Sequence, residues 1–130
     1  MRVRHRIGLS ILCLGFAGSV APVALSADAP PAVIAAAVAD AARPKEDVDR
    51  DADRKPAQVA ALAGIKAGSK IAEMWPGGGY FTRVFSKAVG PTGVVYAMAP
   101  MPPPGAPAGR DPSAAVRALA QSLQGRALVV

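Results

Sequence analysis

Lys70 to Thr82 reads KIAEMWPGGGYFT: a short apolar run carrying one carboxylate, Glu73, then three consecutive glycines, then the start of an aromatic-rich segment. The pattern predicts a strand over Ile71–Trp75, a tight loop and the beginning of a helix. That junction is where sheets of the doubly wound α/β kind bind small molecules. The strand's mostly apolar run predicts burial on both faces. A carboxylate in a buried strand is costly unless it is paired. Glu73 therefore either bridges to Lys70, Arg83 or the charged run upstream, or stands near the strand's carboxyl end and meets a cationic group of a ligand. Gly77, Gly78 and Gly79 remove side chains where the backbone turns or approaches a ligand. The following helix offers unpaired N–H groups and a positive dipole end to an anion.

Downstream, Phe81, Val84, Phe85, Ala88 and Val89 fall on one helical face, so Tyr80–Val89 reads as a core-packing helix. Gly90 caps it, Pro91-Thr92-Gly93 turns the chain, and Val94–Met98 reads as a second strand. Strand, helix and strand with short links make a βαβ unit, hence a parallel pair with a right-handed crossover. Ala99–Gly109 carries Pro100, Pro102, Pro103, Pro104 and Pro107 and reads as a stiff surface loop. Asp111 is placed to cap a further helix with Pro112 in its first turn. Ala115, Val116, Leu119 and Leu123 form its stripe, Gly125 ends it, and Ala127–Val130 begins a third strand.

Upstream, Pro56–Ala63 reads as a short helix with Val59 and Leu62 on one side and Gly64 as its stop. Lys66–Ser69 is a turn. Lys45–Lys55, KEDVDRDADRK, is either a solvated connector or an arm that folds over the binding cleft. Asp47 with Arg50 and Asp51 with Arg54 are spaced to support a helical turn. Ala32–Ala42 is alanine-rich with Val33, Ile34 and Val38 at helical spacing, and Arg43-Pro44 ends it. Met1–Ala27 has the features of a secretory signal: Arg2, Arg4 and Arg6, an apolar stretch over Ile7–Val23, and small residues near Ala24, Ser26 and Ala27.

Removing that signal changes the charge balance. Three of the fifteen Lys and Arg go and all nine acids stay, so +6 becomes 12 − 9 = +3. This is poor ground for nucleic-acid binding, which calls for a clustered basic stripe. The single cysteine, Cys13, and the single histidine, His5, both go with the signal. That excludes a disulfide framework, a thiol nucleophile, a histidine base and the commonest zinc ligands from the remainder. No metal site is expected. The signal implies a periplasmic or secreted location, with membrane contact only during export.

IAEMWPGGGYFTRVFSKAVGPTGVVYAM resembles the first motif of class I S-adenosylmethionine-dependent methyltransferases, and more narrowly a group of secreted bacterial predicted methyltransferases. The likeness covers roughly Ala41–Met98. Glu73 matches the family's acid, Met74 its apolar position, and Gly77 and Gly79 its second and third glycines. Trp75 stands where the first glycine is usual, and Tyr96-Ala97-Met98-Ala99-Pro100 lacks the acid usual after the second strand. The resemblance implies a Rossmann-like doubly wound sheet. It implies S-adenosyl-L-methionine as cofactor, with Glu73, Trp75, Gly77, Gly78, Gly79 and Tyr80 as the binding segment. In that reading the loop N–H groups take the cofactor's carboxylate and Glu73 attracts its ammonium; the methyl acceptor is not identified. Seven strands are normal in the family and about three are present, so the chain is expected to be a fragment, inactive alone. The expected organisation is a signal peptide over 1–27, a helical and charged arm over 28–55 and an incomplete Rossmann-like domain over 56–130. Two other readings compete: a non-enzymatic envelope protein with a βαβ interaction module, and a nicotinamide-dependent enzyme. Thr82, at the third position of a G-x-G-x-x-G pattern, argues against the latter.

Overall fold

Three parallel strands stand in the order β1-β2-β3: β1 (Lys70–Met74), β2 (Val94–Met98) and β3 (Ala127–Val129). The computed structural model describes residues 29–105, 107 and 111–130. The signal expected over 1–27 lies outside them. Among the described residues four helices precede the sheet: α1 (Ala32–Val38), α2 (Lys45–Val48), α3 (Asp51–Arg54) and α4 (Pro56–Leu62). Then α5 (Tyr80–Val89) links β1 to β2, and α6 (Ala114–Ser122) links β2 to β3. The chain is thus mixed α/β with an open three-stranded parallel sheet, consistent with part of a Rossmann-like fold. Among the described residues no helix is long and apolar enough to cross a membrane.

The register pairs Ile71 with Val95 and Glu73 with Ala97, and Val95 in turn with Ala127. These residues share one face, because side chains alternate along a strand. Right-handed crossovers that step the same way along the sheet put their helices on the same side, so α5 and α6 both cover this face. Val84, Val89 and Val95 are fully buried there, together with Ile34 and Ala37 of α1 and Ala60 of α4. Each fully buried valine or isoleucine is worth about 1.5–3 kcal/mol.

Among the described residues nothing covers the opposite face, and this corrects the expectation that β1 is buried on both sides. Ala72 is exposed, Met74 is 63% exposed, and Met98 and Leu128 continue the open surface. β1 is also the edge of the sheet. A second correction concerns α4. Its inward residues are Pro56 and Ala60, whereas Leu62 is 91% exposed. Small side chains let α4 pack closely on α1 and α5.

The turn before β1 is fastened to the end of α5. The Gly68 N–H donates to the Val89 carbonyl (2.7 Å), and the Val94 N–H to the Ser69 carbonyl (3.0 Å). Gly93 lies in this crossing. A Cβ on Gly93 would stand 2.7 Å from the carbonyl oxygens of both Ser69 and Val89 and would also strike the Val89 side chain. Backbone atoms on two sides cannot both yield. Gly93→Ala is therefore expected to cost about 2–3 kcal/mol, read as a lower midpoint in urea unfolding.

Candidate functional site

The site is built where β1 passes into α5. The Trp75 N–H donates to the Met98 carbonyl (3.2 Å), extending the sheet ladder one residue past β1. The backbone then turns through left-handed conformations at Trp75 (φ 57°), Gly77 (φ 54°) and Gly79 (φ 83°). Glycine adopts these without penalty, whereas a non-glycine residue there carries strain of about 1–3 kcal/mol. Trp75 thus keeps the backbone shape suited to a glycine while presenting an indole that is 73% exposed. Gly79 meets a second constraint, because a Cβ on it would collide with Leu119 of α6.

Glu73 is 8% exposed, on the helix-covered side of β1. The Thr82 hydroxyl donates to its Oε2 at 2.6 Å. Burial pushes the Glu73 carboxyl above its usual range, and hydrogen bonding from Thr82 pulls it partly back. Thr82 is the third residue of α5, so the carboxylate lies at the positive end of that helix, where negative charge is favoured. Glu73 forms no ion pair among the described residues; Arg83 pairs instead with Asp47 at 2.9 Å. Nor does Glu73 reach the cavity above the loop.

That cavity holds about 330 Å³. Trp75, Pro76, Gly77, Gly78 and Tyr80 form its floor, and Glu46, Asp47, Arg50 and Arg54 close it from α2 and α3, with Arg83 between. The charged run is therefore an arm folded over the glycine loop. The local pairs expected within it, Asp47 with Arg50 and Asp51 with Arg54, do not form. Lys45 and Asp49 pair locally (2.6 Å), while Asp47 and Asp51 reach across the fold. The Asp51 carboxylate accepts from Arg43 Nη1 (2.8 Å), Arg43 Nη2 (2.6 Å) and the Tyr80 hydroxyl (2.5 Å). Arg43 Nη1 also donates to the Val38 carbonyl (2.7 Å). The Arg54 guanidinium lies over the Tyr80 ring, 4.7 Å from its centroid.

The contacts around Asp51 shift the titration of Asp51 and Tyr80. The Arg43 guanidinium holds the Asp51 carboxyl below its usual range. Burial, and then the bond to Asp51, push the Tyr80 phenol up to about 12. Of the expected site residues, Trp75, Gly77, Gly78 and Tyr80 line one cavity, Gly79 turns the backbone beneath it, and Glu73 stands behind the helix start. Arg43, Asp47, Asp51, Arg54 and Thr82 were not singled out as site residues by the sequence. A usable signal was the i, i+4 spacing of Asp47 and Asp51, which sets two acids on one side of the arm.

No protein-family model, no curated protein and no solved structure matches the chain.

Asp51→Ala leaves Arg43, whose side chain is 3% exposed, as a buried charge without a carboxylate. The expected loss is about 3 kcal/mol in urea unfolding, with the Tyr80 phenol ionising below 12 in a spectrophotometric titration. Because the native Asp51 value is lowered, its contribution is present above the ordinary value near 3.8 and is lost as pH falls through the native one. Glu73 has the opposite sign. Its raised native value means that ionisation opposes folding once pH climbs past 4.5 and through that value. Glu73→Gln, which retains an acceptor for Thr82, is expected to raise Tm by a few degrees at pH 7, with the gain closing below pH 4.5. Thermal melts across this range check it.

Proposed function

We propose that this chain is the cofactor-binding part of an S-adenosylmethionine-dependent methyltransferase, with residues 75–80 and the arm above them holding the amino-acid end of the methyl donor. The observation that carries the reading is the cavity at the start of α5, which has bare backbone on its floor and both signs of charge on its walls. The ligand's amino-acid end is a zwitterion. Its carboxylate suits the loop N–H groups together with Arg50 and Arg54. Its ammonium suits Glu46 and Asp47, a role the resemblance gave to Glu73. Glu73 acts one step back, holding Thr82 and hence the first turn of α5. Trp75 offers a flat apolar surface beside these groups. Beyond this end, β2 runs out through Met98, Ala99 and Pro100 with no acid for the ribose hydroxyls. The bound cofactor would supply a sulfonium methyl group, and the chain's own part is to bind and orient it.

The test uses Gly78. Its backbone is not left-handed, and a Cβ on it meets no atom within 4 Å. Gly78→Leu should therefore fold as the parent does, with Tm unchanged within about 1 °C, while its side chain enters the cavity. Titration of the full chain with S-adenosylmethionine, followed by NMR, is expected to give saturable shifts at Trp75–Tyr80 with a Kd of about 0.1–1 mM. In Gly78→Leu those shifts should vanish. No saturation by the parent, or equal binding by the variant, overturns the reading.

A further inference from the structure

A second cavity, of about 320 Å³, lies between the α1–α2 connection, α5 and the end of α6, and none of the three glycines of the loop lines it. Four cations stand in its wall: Arg43, Arg83, Lys87 and Arg126, against one acid, Asp40. Two of the four are neutralised from outside, Arg43 by Asp51 and Arg83 by Asp47. Lys87 shares Asp40 at 3.0 Å, and Lys87 and Arg126 both help hold the Asp40 carboxyl below its usual range. Arg126 spends its Nε–H on the Leu123 carbonyl (3.1 Å) and has no ion pair among the described residues. One more donor is left over. The Arg43 Nε–H is buried with no acceptor among the described residues, an arrangement that ordinarily costs free energy unless a ligand or water completes it. Leu119 and Leu123 supply an apolar patch beside the charges.

We propose that this cavity binds a small phosphomonoester, its dianionic head held by Arg126 and Lys87 and its short apolar part resting on Leu119 and Leu123. The excess of positive charge selects the anion. Arginine's fork suits phosphate oxygens, which can accept two parallel bonds. The half-buried setting of Arg126 reduces screening relative to a surface cation. The leucines favour an ester over the free ion, since each methylene taken out of water adds to binding. The size fits a head group with a tail of a few carbons and excludes a long acyl chain. This site shares Arg83 with the first cavity but stands independently of the methyl-donor reading.

The probes are butyl phosphate and inorganic phosphate, titrated against the full chain at constant ionic strength and followed by amide NMR. Saturable shifts are expected at Lys87 and at Ser122–Arg126, with butyl phosphate binding at least threefold more tightly than inorganic phosphate. Arg126→Ala should weaken binding at least tenfold. Ser122→Glu is the fold-neutral control: the position is exposed, and the new carboxylate at the cavity wall should weaken binding at least fivefold while the melting curve stays put. Chloride at matched ionic strength should produce none of these shifts. Absence of saturation, equal shifts with chloride, or undiminished binding by a folded Ser122→Glu variant would overturn the proposal. Loss of S-adenosylmethionine binding by Gly78→Leu with phosphate binding intact would show the two sites to be separate.

Discussion

The hydrogen bond from Thr82 to Glu73 joins the last turn of a strand's chemistry to the first turn of a helix. Once the two side chains are 2.6 Å apart, the residues between them must close a short span. The left-handed backbone at Trp75, Gly77 and Gly79 is the consequence. The carboxylate that makes the tie is costly to bury, and its cost is only partly offset by the Thr82 hydroxyl and by the helix dipole. A buried polar link of this kind is directional where apolar packing is not. It fixes the height at which α5 begins above β1, and so the depth of the cavity floor.

The arm depends on a second polar arrangement, centred on Asp51. A buried or half-buried ion pair gives little net stability compared with well-packed apolar side chains, yet removing one partner is expensive. Such pairs therefore act mainly on position. Asp51 meets Arg43, which precedes the arm, and Tyr80, which follows the loop; Asp47 meets Arg83 one turn further along α5. Two acids on one side of a short helical segment thus fasten it across the loop at separate points. Arg54 over the Tyr80 ring adds a cation–π contact on the same side. The arm has few apolar residues to bury, so its docking rests on these charges.

Where the sequence carried a period, it was readable. The stripe Phe81, Val84, Phe85, Ala88, Val89 located α5 to the residue, and short apolar runs between turn residues located β2 and β3. Burial was readable less well, because a strand's composition does not say which side is covered. Ile71 faces the helices and Ala72 faces out, although both are apolar. In α4 the larger side chains, Val59 and Leu62, looked like the buried ones, but close packing on α1 and α5 favoured Ala60. The Asp51 network was hidden for another reason. Asp51 and Tyr80 are separated by α4, a turn, β1 and the loop, so only the assembled fold brings them together. Glu73 was readable as a residue that needs a partner, but its partner is a neutral threonine, and no search for opposite charge would find it.

The position of β1 gives the glycine loop its meaning in the fold. In open α/β sheets a ligand crevice forms at the carboxyl ends of the strands, where the strand order reverses. Here β2 and β3 step away from β1 in one direction, with their helices on one face. β1 is the edge strand among the described residues, and the glycine loop stands at its carboxyl end. The charged arm closes this point from the helix-covered side. On the uncovered face Met74 and Met98 are exposed, and the exposed indole of Trp75 lines the cavity. The cavity thus has one polar wall that the chain supplies and one apolar margin left open.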